Sequence, residues 1–168
     1  MERMITDSGA NRKVYGSWRE FFHDLLFMLK NATRLTRVYR GGLPSTLRER
    51  LMVAAAAVYG CRFCSWLHTR EALRIGVDKA ELARLVGGVM EGCPEEYSIA
   101  VLYAQHWAES NAHPAPEAVQ RLEETYGGEK AKLVNVVLHP IRLVLFVENL
   151  WGAFLYRISF GRWGKQIR

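Results

Sequence analysis

The sequence predicts an all-α protein, and three observations carry that reading. Apolar residues recur at intervals of three and four rather than two. The breaks between apolar stretches are Gly or Pro at helical intervals. One internal run, Leu51 to Val58, is apolar all round, as a helix at the centre of a fold must be. At 168 residues the chain has the length of a single domain, taken as residues 1–168, and can bury a core without disulfide staples.

Residues 1 to about 15 read as a loose polar arm, and the N-terminal stretch lacks the apolar core of a secretory signal. A first helix is expected from about Ser17 to Tyr39, with Phe21, Leu25, Met28 and Leu29 on one side and Gly41-Gly42 as its end. Pro44 opens the second helix. Glu49 lies at its entry, with Met52 and Ala56 three and seven residues on, a spacing that turns the carboxylate inward. Gly60 closes this helix and the third begins at once. Cys61, Cys64, His68, Ala72 and Ile75 share one of its faces, and Arg62, Ser65, Thr69, Arg70 and Arg74 lie largely on the other. Gly76 is its stop.

Asp78 and Glu81 form a capping-box pattern for a fourth helix carrying Leu82, Leu85 and Val86, which Gly87-Gly88 weakens. Pro94 begins a fifth helix to about Asn111, and Pro116 a short sixth ended by Gly127-Gly128. The most apolar stretch, Leu133 to Tyr156, is interrupted by Asn135, His139, Pro140, Arg142, Glu148 and Asn149. A spanning helix wants about 20 mainly apolar residues, so this segment is assigned to the core or a subunit interface. Pro140 is expected to kink or split it, because proline removes a backbone donor and clashes with the preceding turn.

The formal charge is +6, with arginines at 34, 37, 40, 48 and 50 and a basic end at Arg157, Arg162, Lys165 and Arg168. Such a balance can attract nucleic acid or anionic lipid. No nucleic-acid motif accompanies it, and dispersed arginines read as a solvated face, so neither nucleic acid nor membrane is expected as a partner. Three cysteines, an odd number on a chain this long, fit a reducing cytoplasm better than a secreted disulfide scaffold.

The chemistry concentrates at Cys61-Arg62-Phe63-Cys64, with His68 four residues beyond the second cysteine and Glu49 twelve before the first. Two thiols three residues apart at a helix start can form and break a disulfide with little backbone movement. A free thiol has a pKa of about 8.5, and the unsatisfied N–H groups and dipole at a helix N-terminus favour its thiolate. His68, one turn after Cys64, can act as base or as stabilising imidazolium. Glu49 can orient His68, or pass a proton through a water, if the two helices pack antiparallel across Gly60. Zinc is the competing use of Cys61, Cys64, His68 and Glu49. A second thiol pair is missing and a helical domain of this length does not need the ion, so no metal and no cofactor are expected. Cys93 has no partner by spacing and reads as a bystander. His106, Trp107, His139 and Trp151 are candidate pocket residues, although aromatic residues at helical spacing are usually core.

The segment LPSTLRERLMVAAAAVYGCRFCSWLHTREALRIGVDKAELARL resembles the core of the AhpD-like alkylhydroperoxidase family, within the carboxymuconolactone decarboxylase superfamily. The resemblance rests on Glu49, on Cys61-x-x-Cys64-x-x-x-His68, on Thr69-Arg70-Glu71-Ala72 and on Gly76; it covers residues 43–90 firmly and the helix from Pro94 to Asn111 loosely. It implies an all-α helical bundle, assembled as a trimer or hexamer, that reduces hydroperoxides. Cys64 would be the attacking thiol, Cys61 the resolving thiol, and Glu49 with His68 the proton relay; a dithiol or the dihydrolipoyl group of a partner protein would be the reductant. Helix position alone favours Cys61 for attack, and the adjacent His68 tips the assignment to Cys64. Phe63 departs from the histidine that well-studied peroxidase members often place before the second cysteine. Two alternatives stand beside this: the decarboxylase side of the superfamily, whose members generally lack the cysteine pair, and a non-enzymatic helical oligomer that senses oxidants.

Overall fold

The computed structural model describes residues 14–160 and Arg162; Lys165 and Arg168 of the basic end lie outside the described residues. Within them the chain is helical and holds no strand. The helices are α1 (Trp18–Lys30), α2 (Ala32–Arg37), α3 (Ser45–Tyr59), α4 (Arg62–Arg74), α5 (Lys79–Val86), α6 (Glu95–Glu109), α7 (Pro116–Tyr126) and α8 (Gly128–Ile158).

The organising element is α3. Leu47, Leu51, Met52, Val53, Ala54, Ala55, Ala56 and Tyr59 are all buried, and α4, α5, α6 and α8 pack around it. Its alanines keep the helix thin where α4 and α6 approach, and Tyr59 fills the far end against the ring of Trp107, centroids 6.3 Å apart. A buried bidentate pair ties α3 to α5, with Arg50 Nε donating to Glu81 Oε1 at 2.6 Å and Nη2 to Oε2 at 2.8 Å. Asp78 caps α5 by accepting from the Glu81 amide, as the sequence pattern requires.

The single first helix expected from Ser17 to Tyr39 is three pieces. Asn31 interrupts it with φ −106° and ψ 16°, its side chain donating to the Phe27 carbonyl and accepting from Arg34. This is the local competition with helical bonding that makes asparagine a breaker. A wider π-helical turn over Val38–Gly42 follows α2, with Gly41 at φ 97°. Met28 is buried as expected, but Leu29 does not share that side: it is 64 % exposed, and Asp24 faces inward instead. Val14 and Tyr15, assigned to a loose arm, are packed: Val14 is buried, and the Tyr15 hydroxyl donates to Asp24 Oδ2 at 2.9 Å.

Asp24 is the hub of a buried network. His139 Nδ1 lies 2.9 Å from Oδ1, and Arg142 Nη1 lies 2.9 Å from Oδ2. Burial opposes ionisation of Asp24, but the bond from His139 and the Arg142 charge outweigh it and hold its carboxyl below the usual range. The network fastens α1 to the middle of α8.

Pro140 does not split the last helix, which runs unbroken from Gly128 to Ile158. Leu138, His139, Ile141, Arg142 and Leu145 are buried on either side of it, and that packing offsets the lost backbone bond. Among the described residues α8 is the one helix long and apolar enough to cross a membrane by length and composition, and half of its apolar window is buried inside the fold. The buried His139 and Arg142 mark it as a core helix. Its C-terminal half leaves Val147, Leu150, Trp151, Phe154 and Ile158 exposed.

Candidate active site

The site forms where α3 hands over to α4. Gly60 takes the left-handed conformation, φ 66°, so that the Gly60 amide reaches the Ala57 carbonyl and the Cys61 amide the Ala56 carbonyl. The reversal makes α3 and α4 an antiparallel hairpin. Cys61 is the N-cap of α4, its sulfur accepting from the Cys64 amide at 3.2 Å, and Cys64 lies in the first turn. The two sulfurs are joined as a disulfide with Cα atoms 5.3 Å apart. Both residues are buried.

Glu49 lies about three turns back from Gly60 on α3, and His68 about two turns forward on α4, so both side chains fall on the hairpin's inner face. His68 Nδ1 and Glu49 Oε2 are 2.7 Å apart. A neutral imidazole opposite an ionised carboxylate carries its hydrogen on Nδ1, which leaves Nε2 as an acceptor. The other carboxylate oxygen accepts from Arg48 Nε at 2.8 Å, and the Arg48 guanidinium lies 4.8 Å over the Tyr39 ring. Burial of Glu49 favours the neutral acid, but the bonds and charges of His68 and Arg48 win, and its carboxyl sits below the ordinary glutamate range.

All four residues singled out from the sequence thus fall around one hairpin. They divide into two joined pairs, Cys61 with Cys64 and Glu49 with His68. The hydrogen bond of His68 goes to Glu49, and none to the Cys64 sulfur is present among the described residues. Among the described residues no three His, Cys, Asp or Glu side chains form a group that could hold a metal ion, and the two sulfurs are bonded to each other.

Sequence reasoning missed Arg48, read there as part of a solvated face but bonded to Glu49, and one further group. Glu148, on α8, brings Oε2 to 3.2 Å from Cys61 Sγ. The available signal was a carboxylate interrupting an otherwise apolar helix. Beside the pair, Phe63 and Trp66 are 50 % and 55 % exposed, and Arg70 lies over the Trp66 ring. Phe63 is therefore open to solvent on α4.

The pocket candidates separate. Trp107 is fully buried, and His139 is buried between the Phe27 and Trp107 rings. Trp151 is exposed. His106 lines a cleft of about 310 Å³ with Ile99, Leu102, Tyr103, Glu117, Ala118 and Arg121, and its Nε2 accepts from the Ala115 amide. Cys93 is a free, half-buried thiol whose pKa burial pushes up, as suits a bystander.

Residues 27–106 match the carboxymuconolactone decarboxylase family. The matched segment runs from α1 into α6, holds Glu49, Cys61, Cys64 and His68, and stops short of α7 and α8. No curated protein and no solved structure matches the chain.

Proposed function

With a carboxymuconolactone decarboxylase family segment over residues 27–106 as the premise, we propose that the protein is an AhpD-like, thiol-dependent hydroperoxide reductase. The observation that carries this is the closed Cys61–Cys64 pair beside the Glu49–His68 pair on one buried hairpin. Cys64 attacks the hydroperoxide: the O–O bond breaks, an S–O bond forms, and the alcohol leaves with the proton that the thiol gave up through His68 Nε2. Glu49 fixes the imidazole and offsets the charge that forms on it. Cys61 then displaces the hydroxyl of the Cys64 sulfenic acid, and the sulfurs join as water leaves. A dithiol, or a dihydrolipoyl group on a partner protein, returns both thiols and is itself oxidised to a disulfide.

Apolar side chains support a homo-oligomer, trimeric or hexameric. Trp18, Phe22, Leu26 and Leu29 of α1 and Val147, Leu150, Trp151 and Phe154 of α8 are exposed, more than a lone soluble subunit ordinarily leaves open. Sedimentation equilibrium reads the state directly. The reading places the protein in the cytoplasm, where its dithiol reductant is supplied.

The test is consumption of cumene hydroperoxide by the reduced protein, with Cys64→Ser inactive and Cys61→Ser halting at a sulfenic acid trapped by dimedone. The matched family's name favours one other reading, proton transfer on a lactone acid. Turnover of carboxymuconolactone that survives replacement of both cysteines by serine would establish that chemistry instead.

A further inference from the structure

Among the described residues the Cys61 sulfur has two polar hydrogen-bonding neighbours, the Cys64 amide and the Glu148 carboxyl, each at 3.2 Å. An amide steadies negative charge on sulfur but cannot exchange its hydrogen on the time scale of thiol chemistry. Glu148 can. His68 and Glu49 are engaged with each other at 2.7 Å, and Arg48 holds the remaining Glu49 oxygen. We infer that Glu148 is a catalytic residue, the proton carrier of Cys61, while the Glu49–His68 pair serves Cys64; the inference rests on the thiol–disulfide reading proposed above.

The need for such a group follows from burial. When the thiolate of a dithiol attacks Cys64 Sγ, a mixed disulfide forms, the Cys61–Cys64 bond breaks and its electron pair goes to Cys61 Sγ. Cys61 is buried, so water is poorly placed to protonate the sulfur, and an unpartnered anion there is costly. Glu148 supplies the proton as the bond breaks, and the second thiol of the dithiol then releases Cys64. In closure the same carboxylate takes the proton of Cys61 as it attacks the Cys64 sulfenic acid and hands it to the departing hydroxyl, which leaves as water.

The fold holds Glu148 in place for this. Arg142, six residues earlier and about 9 Å along the same helix, is locked into the buried Asp24 network. Helix α8 lies outside the segment matched to the family, so this proton carrier comes from a part of the chain that the family pattern does not describe.

The experiment starts from protein oxidised with diamide and follows its opening by dithiothreitol through thiol release, so it needs neither peroxide nor a natural reductant. Glu148→Gln keeps shape and hydrogen bonding but carries no acid. It is expected to slow opening on the order of 100-fold at unchanged melting temperature, with Glu148→Asp recovering most of the rate. Opening of Glu148→Gln at the wild-type rate would overturn the assignment, as would equal slowing by Gln and Asp, which would mark a purely steric role. Failure of wild-type protein to consume hydroperoxide would instead count against the proposed function and leave this measurement intact.

Discussion

His68 Nδ1 sits 2.7 Å from Glu49 Oε2 across the α3–α4 hairpin, joining residues nineteen apart in sequence through a turn that only Gly60 makes easily. If the imidazole is neutral, this carboxylate holds its hydrogen on Nδ1 and leaves Nε2 as the acceptor, and on the proposed function the two residues act as one base.

Glu49→Gln is accordingly expected to slow oxidation of Cys64 on the order of 100-fold, read by stopped-flow tryptophan fluorescence under single turnover. Burial raises the Glu49 pKa, but His68 and Arg48 lower it further, so its net shift is downward. The Glu49 carboxylate is fully ionised above the ordinary glutamate value of about 4.3 and is lost as pH falls through the lower folded value. Any rate limb due to Glu49 therefore lies on the acid side of pH 4.3, and a Glu49-dependent limb near neutrality would contradict the assignment.

The cysteines are expected to separate cleanly. Cys64→Ser should abolish peroxide consumption, and Cys61→Ser should leave a single oxidation that dimedone traps as a sulfenic acid, seen by mass spectrometry. The opposite pattern would make Cys61, the N-cap of α4, the attacking thiol.

Asp24→Ala removes the partner of a buried histidine and arginine and should cost about 3–5 kcal/mol in urea unfolding. The Asp24 carboxyl is held low in the folded state against the push of burial. Its contribution is therefore full above about pH 3.9 and fades as pH falls through the lower folded value. The stability gap between wild type and Asp24→Ala should narrow only under those acidic conditions.

Gly60→Ala places a Cβ at φ 66° and should cost about 1–2 kcal/mol. Because the same turn sets the α3–α4 hairpin, the variant should also slow Cys64 oxidation in the stopped-flow assay.

Much of this was legible from residue spacing. The all-apolar run from Leu51 to Val58, the punctuation by Gly60, Gly76 and Pro116, and the inward side of Glu49 follow from helical geometry, because each depends on neighbours within a turn or two. Apart from the local break at Asn31, what escaped depends on distant partners. Asn31 broke a helix that apolar periodicity continued. Pro140 was carried through α8 by packing that local rules do not register. Glu148 meets Cys61 across 87 residues, and Asp24 meets His139 across 115. A carboxylate bound for a buried contact and one bound for water look alike in a sequence until the opposing helix is in place.

The central claim is that Cys61 and Cys64 act together on a hydroperoxide, and titration of free thiols tests it most directly. The reduced chain carries three cysteines. After a slight excess of cumene hydroperoxide the count should fall from three to one within minutes, with Cys93 the thiol that remains. Three thiols persisting, or the same loss in Cys64→Ser, would contradict it.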